Sequence, residues 1–201
     1  MKQKELEIKL QKVPQPTHPS PNLEQYMTPA TIVADILFNA YHLGDIYDKI
    51  IIDLGCGSGI FSIGAAILGA KKVTGIDVDK ESIHLARKHA EQNNLEIEFK
   101  VKNVKDVETK CDVVLMNPPF GAQKSNQKAD RRFIEKGFEI AEIIYSLHLT
   151  KTIPFLEKMI DSLGGTITHR KEYHFPIKWQ FEFHKKEVIT YNVTLLRIKT
   201  E

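Results

Sequence analysis

From residue 49 onward the chain alternates short apolar runs with stretches of helical periodicity. "KIIIDLG" (49–55), "KKVTGID" (71–77), "IEFKVKN" (97–103), "CDVVLMN" (111–117) and "IIYSLHL" (143–149) read as strands. Between them "GIFSIGAAILGA" (59–70), "KESIHLARKHAEQNN" (80–94) and "DRRFIEKGFEIAE" (130–142) repeat their apolar positions at helical spacing. This alternation predicts βαβ units, with parallel strands covered by helices on both faces. After a further helix near 152–162, "GGTITHRKEYHF" (164–175) and "KEVITYNVTLLRI" (186–198) have no long helix between them, so they pair antiparallel at one end of the sheet. The expected fold is α/β, a Rossmann-like, doubly wound, mostly parallel seven-stranded sheet with a C-terminal antiparallel strand pair.

Upstream, Leu6, Leu10 and Val13 fall at helical spacing, and "PQPTHPSP" (14–21) follows, where helix cannot continue. Residues 1–21 are therefore read as a helix plus a proline-rich linker, and 22–201 as a single domain. Thr28 and Pro29 form an N-cap and first-turn pair. Ile32, Val33, Ile36, Leu37, Ala40 and Tyr41 then mark an apolar helical face that closes near "LGD".

A chain of 201 residues can bury one real core without staples. No apolar run approaches the length of a membrane span, and the charged start "MKQKELEIKLQK" carries no secretory signal, so a cytoplasmic location is expected. Cys56 and Cys111 are the only cysteines, which argues against a disulfide framework or a cysteine-built zinc site. The eight histidines show no metal-ligand spacing, and no metal is expected. A net charge of +2 does not announce a nucleic-acid binder, so local charge must carry that case.

"DLGCGSG" (53–59) follows the first strand and opens a helix, the place where an open α/β sheet binds a nucleotide-like ligand. The dinucleotide fingerprint would need a glycine at position 60, which is Ile60, with the glycines at Gly55, Gly57 and Gly59 instead. Asp53 would put negative charge beside the loop, awkward for a pyrophosphate but suited to a sulfonium or ammonium group. The ligand this suggests is S-adenosylmethionine. Asp77 ends the second strand about 20 residues beyond the first glycine, where a carboxylate accepts hydrogen bonds from ribose hydroxyls. Asp79 reads as the N-cap of the next helix.

"MNPPFG" (116–121) ends the fourth strand on the same sheet edge. Methylating an exocyclic amine requires its delocalised lone pair to be localised, and two acceptors aimed at its two N–H bonds do that. Asn117 supplies a side-chain carbonyl, and the backbone carbonyl of Pro118 a second one, held by the fixed φ of Pro118 and Pro119. Phe120 offers a ring face for a flipped base. A plain proline turn with a core Phe is the bland reading of the same residues.

With both motifs in place the sequence resembles the class I S-adenosylmethionine-dependent methyltransferases, and within them the methyltransferase-like five family of ribosomal RNA adenine-N6 methyltransferases. "LEQYMT", "DLGCGSGIFSIGAAILGA", "GIDVD", "MNPPFG", "DRRFI", "YSLH" and "FHKK" carry the likeness from about residue 20 onward. The resemblance implies cofactor contacts by Gln25 and Thr28, by Gly55, Ser58 and Ile60, and by Asp77, with Asn117 at the reacting end. It also implies a catalytic Asn117-Pro118-Pro119-Phe120 motif. Asn103 stands where the family often has an Asp that accepts from the cofactor's adenine amine, and Asn still offers a carbonyl. The family typically works with a small zinc-containing activator protein that adds a strand to the sheet edge, and "IEFKVKN" is the expected edge. Lys100 and Lys102 are equally read as charges that protect an exposed edge.

Basic residues Lys124, Lys128, Arg131, Arg132 and Lys136 outnumber Asp130 and Glu135 just after the motif, which suits an RNA backbone. Arg131 has local alternatives in Asp130 and Glu135. "FPIKWQFEFHKK" mixes aromatic and basic residues, but alternating aromatics there read first as one buried strand face. The expected activity is methyl transfer to the N6 amine of an RNA adenine, ribosomal RNA by resemblance. Protein glutamine-N5 or DNA adenine-N6 methylation, or a non-catalytic cofactor- or RNA-binding module, are the alternatives. A Tyr at position 120 would be more typical of the glutamine enzymes.

Overall fold

The computed structural model describes residues 1–15, 26–120, 129–178 and 188–200. Seven strands form one sheet: β1 (Ile50–Leu54), β2 (Lys72–Asp77), β3 (Glu98–Val101), β4 (Cys111–Met116), β5 (Ala141–Leu149), β6 (Thr166–Lys178) and β7 (Val188–Lys199). Their order is β3-β2-β1-β4-β5-β7-β6. β1 to β5 run parallel, and β7 is antiparallel to both β5 and β6. The sheet and its antiparallel end match the sequence pattern.

The helices are α1 (Gln3–Leu10), α2 (Ala30–His42), α3 (Ile60–Ile67), α4 (Lys80–Gln92), α5 (Ala129–Ile140) and α6 (Ile153–Ser162). Side chains alternate across a strand, so consecutive apolar residues of β1 and β4 feed two cores. Ile51, Val113 and Leu115 join α1, α2 and α3 on one face. Ile52, Leu54, Val114 and Met116 join α5 and α6 on the other. α4 lays Ile83, Ala86 and Ala90 against Phe99 of β3.

α1 is tied into this core: Leu6, Leu10 and Val13 are buried with α2 and α3. Gln3 Nε2 also donates to Asp35 Oδ1 of α2 at 3.3 Å. Residues 16–21 of the proline segment lie outside the described residues.

Two local boundaries differ from the pattern. α5 ends at Ile140 and β5 begins at Ala141, so "AE" is strand. No Gly or Pro marks that junction, and the apolar positions on either side fit both periods. Thr28 is not the N-cap of α2. Pro29 holds that position, with its carbonyl accepting from Ile32 and Val33 N–H, and no side chain caps the helix. Asp79 does cap α4, accepting from Ser82 N at 3.0 Å.

Candidate active site

In parallel register Leu54 faces Met116, and β1 lies between β2 and β4. The loop after β1 therefore stands beside the residues that follow β2 and β4. All of these stretches open on one cavity of about 520 Å3. Gly55, Cys56, Ser58, Ile60 and Phe61 form its floor, and Asp77 and Val78 line it from β2. Asn103, Val104 and Lys105 come from the end of β3, Asn117 to Phe120 from β4, and Tyr26 to Thr28 from the segment before α2. α5 closes one side with Arg132, Phe133, Glu135, Lys136 and Glu139. A site outside the carboxyl ends of adjacent strands is where this architecture holds its ligands.

The loop is shaped by its glycines. Gly59 has φ of +83°, and a Cβ there would lie 2.8 Å from the Phe99 ring. A Cβ on Gly55 would come within 3.1 Å of Phe133, so bare backbone is what leaves the cavity open at that point. Gly57 and Gly59 build the loop without lining the cavity. Gly57 N–H donates to Asp77 Oδ2 at 2.8 Å, and Asp79 N–H donates to Asp77 Oδ1 at 2.9 Å. With Val78 N–H also directed at it, the Asp77 carboxylate still keeps lone-pair capacity, because an ionised carboxylate accepts about four hydrogen bonds. Burial pushes the Asp77 carboxyl up from the usual carboxylate range.

Asp53 departs from its expected place. It is 1% exposed and does not line the cavity. Its Oδ2 accepts from Ser62 N at 3.0 Å and Ser62 Oγ at 2.7 Å, tying β1 to the first turn of α3. Those donors at a helix N-terminus attract the carboxylate inward, so it acts on the loop from beneath. Burial pushes this carboxyl from 3.8 up to about 7. Between those two values the folded chain holds a proton that the unfolded chain has lost, so the group's contribution to stability falls as pH rises through that window. Asp53→Asn keeps an acceptor for Ser62 and is expected to lose that slope. Urea unfolding at several pH values checks it: a wild-type-minus-variant difference that does not change with pH would refute it.

At the reacting end, Asn117 Nδ2 donates to Thr28 Oγ1 at 3.0 Å. Asn117 Oδ1 is buried and has no hydrogen-bond partner among the described residues. Pro118 is buried beside it. Phe120 packs edge-on against the buried Phe175 of β6, with ring centroids 5.6 Å apart and planes at 85°. Asn103 Oδ1 accepts from Lys105 N at 3.1 Å, one contact for a carbonyl with two lone pairs.

The fold and this arrangement have known relatives. A family model for ribosomal protein L11 methyltransferase (PrmA) matches residues 32–118, from α2 to just past β4. The chain is 34% identical over 210 residues to the rRNA N(6)-adenosine-methyltransferase METTL5 of Danio rerio, covering 98% of each. It belongs to the METTL5 family. It is also 41% identical over 211 residues to an uncharacterized protein of Methanocaldococcus jannaschii, covering 99% of this chain and 94% of that one. A crystal structure from Pyrococcus horikoshii, described as a candidate RNA methyltransferase, matches with a TM-score of 0.92 at 37% identity, covering 100% of this chain and 98% of that chain.

In this METTL5-family site the structure brings together Thr28, Gly55, Ser58, Ile60, Asp77, Asn103 and Asn117 to Phe120. Gln25, Lys124 and Lys128 lie outside the described residues, as does the 179–187 part of the aromatic-basic stretch. Arg132 reaches the cavity wall, whereas exposed Arg131 is engaged by Glu135, Nε to Oε1 at 2.8 Å. Sequence reasoning missed Val78, Val104 and Phe133, apolar cavity residues whose only signal is adjacency to Asp77, Asn103 and Arg132. It also missed fully buried His148. Its Nε2 lies 2.6 Å from Ser146 Oγ, and its Nδ1 lies 3.3 Å from Asp130 Oδ1 at the start of α5. The Nδ1–Oδ1 approach brings the end of β5 close to the helix that walls the cavity, but neither atom makes a hydrogen bond among the described residues.

Proposed function

We propose that this METTL5-family chain transfers a methyl group from S-adenosylmethionine to the N6 amine of an adenine in ribosomal RNA. The observation that carries the reading is the buried Oδ1 of Asn117, a cavity-lining residue, which has no partner among the described residues. Leaving a buried acceptor unpaired costs about 1–3 kcal/mol, so a site that keeps one is matched to a donor brought by its substrate. An exocyclic amine brings two N–H donors. Similarity along the whole length to an rRNA N(6)-adenosine-methyltransferase supports the choice of adenine and of ribosomal RNA.

The residues present fit the cofactor. Asp77 has acceptor capacity for ribose hydroxyls, Val78 and Val104 flank it with apolar surface, Asn103 retains a lone pair for an adenine amine, and the bare backbone at Gly55 admits close approach. When bound, S-adenosylmethionine supplies an electrophilic methyl carbon on a sulfonium. The chain's own work is to hold the amine. Asn117 Oδ1 takes one N–H, the Pro118 carbonyl takes the other, and the nitrogen lone pair turns toward the incoming methyl. Phe120, steadied by Phe175, stacks on the flipped base, a contact worth about 1–3 kcal/mol. Arg132 of α5 and Lys105 from the end of β3, both lining the cavity, are the groups proposed to meet the phosphates near the extruded nucleotide.

A small zinc-containing activator protein is the proposed partner at β3. That strand is an edge of the sheet, Val101 is 43% exposed, and the Lys100–Glu98 ion pair is the charge that guards it alone. Among the described residues no helix is long and apolar enough to cross a membrane. A cytoplasmic setting goes with the reading.

The deciding experiment incubates the protein with methyl-labelled cofactor and ribosomal RNA, digests the RNA and identifies the labelled nucleoside by mass spectrometry. N6-methyladenosine is expected, and label confined to protein glutamine would sink the proposal. Asp77→Ala should raise the cofactor Kd by about 10- to 100-fold through lost ribose hydrogen bonds. Calorimetry giving an unchanged Kd would remove Asp77 from the cofactor site.

A further inference from the structure

We infer that Asp53 makes the site favour a cationic methyl donor over its neutral demethylated product, by giving up a proton when a sulfonium binds above the glycine loop; this rests on the S-adenosylmethionine reading proposed above. Donor and product share the ribose, the adenine and the amino-acid tail. They differ by one methyl group and one positive charge. Asp77 and Asn103 are proposed to meet groups common to both, so a residue that separates the two has to respond to the charge.

Asp53 is placed to do so without touching the ligand. It is 1% exposed and stands two residues before Gly55, which puts their Cα atoms within about 7 Å. Gly55 and Cys56 are cavity floor, and charge acts over such a distance with no contact. In register Asp53 lies beside Gly75 of β2 and Leu115 of β4, which carry no charge. It shares a face of β1 with Ile51, where α1, α2 and α3 supply an apolar core. From α3 the N–H and the hydroxyl of Ser62 both donate to Oδ2. The Cys56 thiol of the loop is pushed well above its ordinary value by burial and stays neutral near pH 7. Asp77 at the end of β2 is the one charged group acting on Asp53 among the described residues, and it is a second acid.

A buried carboxylate with neutral donors, an acidic neighbour and no cation is incomplete as an anion. A proton completes it in the free protein, and a cation brought to the loop completes it in the complex. The rise of this carboxyl to about 7, caused first by burial, leaves the free protein divided between the two forms at neutral pH. A sulfonium favours the ionised form, so donor binding lowers that value and expels the proton. The product has no such charge, and in its complex the proton stays. Affinity for the donor relative to the product therefore rises with pH up to about 7 and is level above it. For unit charges about 10 Å apart at an effective dielectric constant of about 20, the full rise is roughly 10- to 20-fold.

The test titrates S-adenosylmethionine and S-adenosylhomocysteine into wild type and Asp53→Asn by calorimetry, in buffers of different ionisation enthalpy so that released protons are counted. At about pH 6.5 wild type should release about half a proton more with the donor than with the product, and the ratio of the two Kd values should change about 10-fold from about pH 5.5 to about pH 8. Asp53→Asn, which keeps an acceptor for Ser62, should show equal proton counts and a flat ratio. Equal counts in wild type overturn the inference. So does a difference that survives in Asp53→Asn, which would assign the proton to Asp77. Should Asp53→Asn not fold, Ser62→Ala removes a donor that favours the ionised form and should move the inflection of the ratio to higher pH; an inflection that stays in place overturns the inference as well. Wild type that binds neither ligand would instead count against the cofactor reading proposed above, so the two failures are told apart.

Discussion

Asn117→Ala should lower the rate of adenine methylation by about a hundred- to a thousandfold, the usual effect of deleting one group aimed at the reacting atoms. Cofactor Kd should stay within about threefold, because the oxygen removed is proposed to face the amine. The fold should survive as well. Asn117 Oδ1 makes no hydrogen bond among the described residues, so truncating it leaves no new orphan among them, and the freed Thr28 hydroxyl can turn toward the space created. Thermal unfolding within a few degrees of wild type, as befits a change of roughly 1 kcal/mol or less in a chain of this size, is the matching control. A variant that methylates RNA at the wild-type rate would end the proposed mechanism. One that loses cofactor binding in step with activity would move Asn117 from the amine to the cofactor.

Much of this site is legible in the sequence because its signals are local. The glycine loop, the acid closing β2 and the Asn-Pro-Pro-Phe turn each sit at the end of a strand that its own residues specify. What could not be read is contact between distant segments. Nothing near Thr28 signals that its hydroxyl meets Asn117, and a Thr-Pro pair before a helical face looks like a cap. Asp53 lies beneath the loop rather than beside the ligand for a related reason. Its charge is evident from the sequence, but the direction of its side chain depends on Ser62 in the next helix. His148 between Ser146 and Asp130 is invisible for the same cause, since those three residues come from two elements with no shared periodicity.

Gly59→Ala is expected to produce the largest loss of stability among simple changes to the loop, about 2–5 kcal/mol. Two effects add. A left-handed backbone costs an L residue about 1–2 kcal/mol. The new methyl would also lie 2.8 Å from Cζ of Phe99, overpacking that typically costs about 1–3 kcal/mol. The ring has nowhere easy to go. Phe99 is 3% exposed, and its other contacts include Gly75, where a Cβ would come within 2.5 Å of Cδ1. Phe99 thus occupies a slot made by two missing side chains, and Phe99→Leu should recover part of the loss in a Gly59→Ala background. Urea unfolding of the two single variants and the double reads this directly. Strict additivity of the two changes would mean that the clash is relieved elsewhere.

The position of β7 between β5 and β6 has a consequence for the order in which the molecule can be assembled. β6 precedes β7 in the chain, yet it pairs only with β7, so it has no place in the sheet until its later neighbour arrives. The five parallel strands that carry the glycine loop, Asp77 and Asn117 need no such wait, since each joins a neighbour already made. The reacting cleft can therefore take shape on a growing chain before the last edge is sealed. Its aromatic floor cannot, because the Phe175 that steadies Phe120 belongs to the strand that docks late.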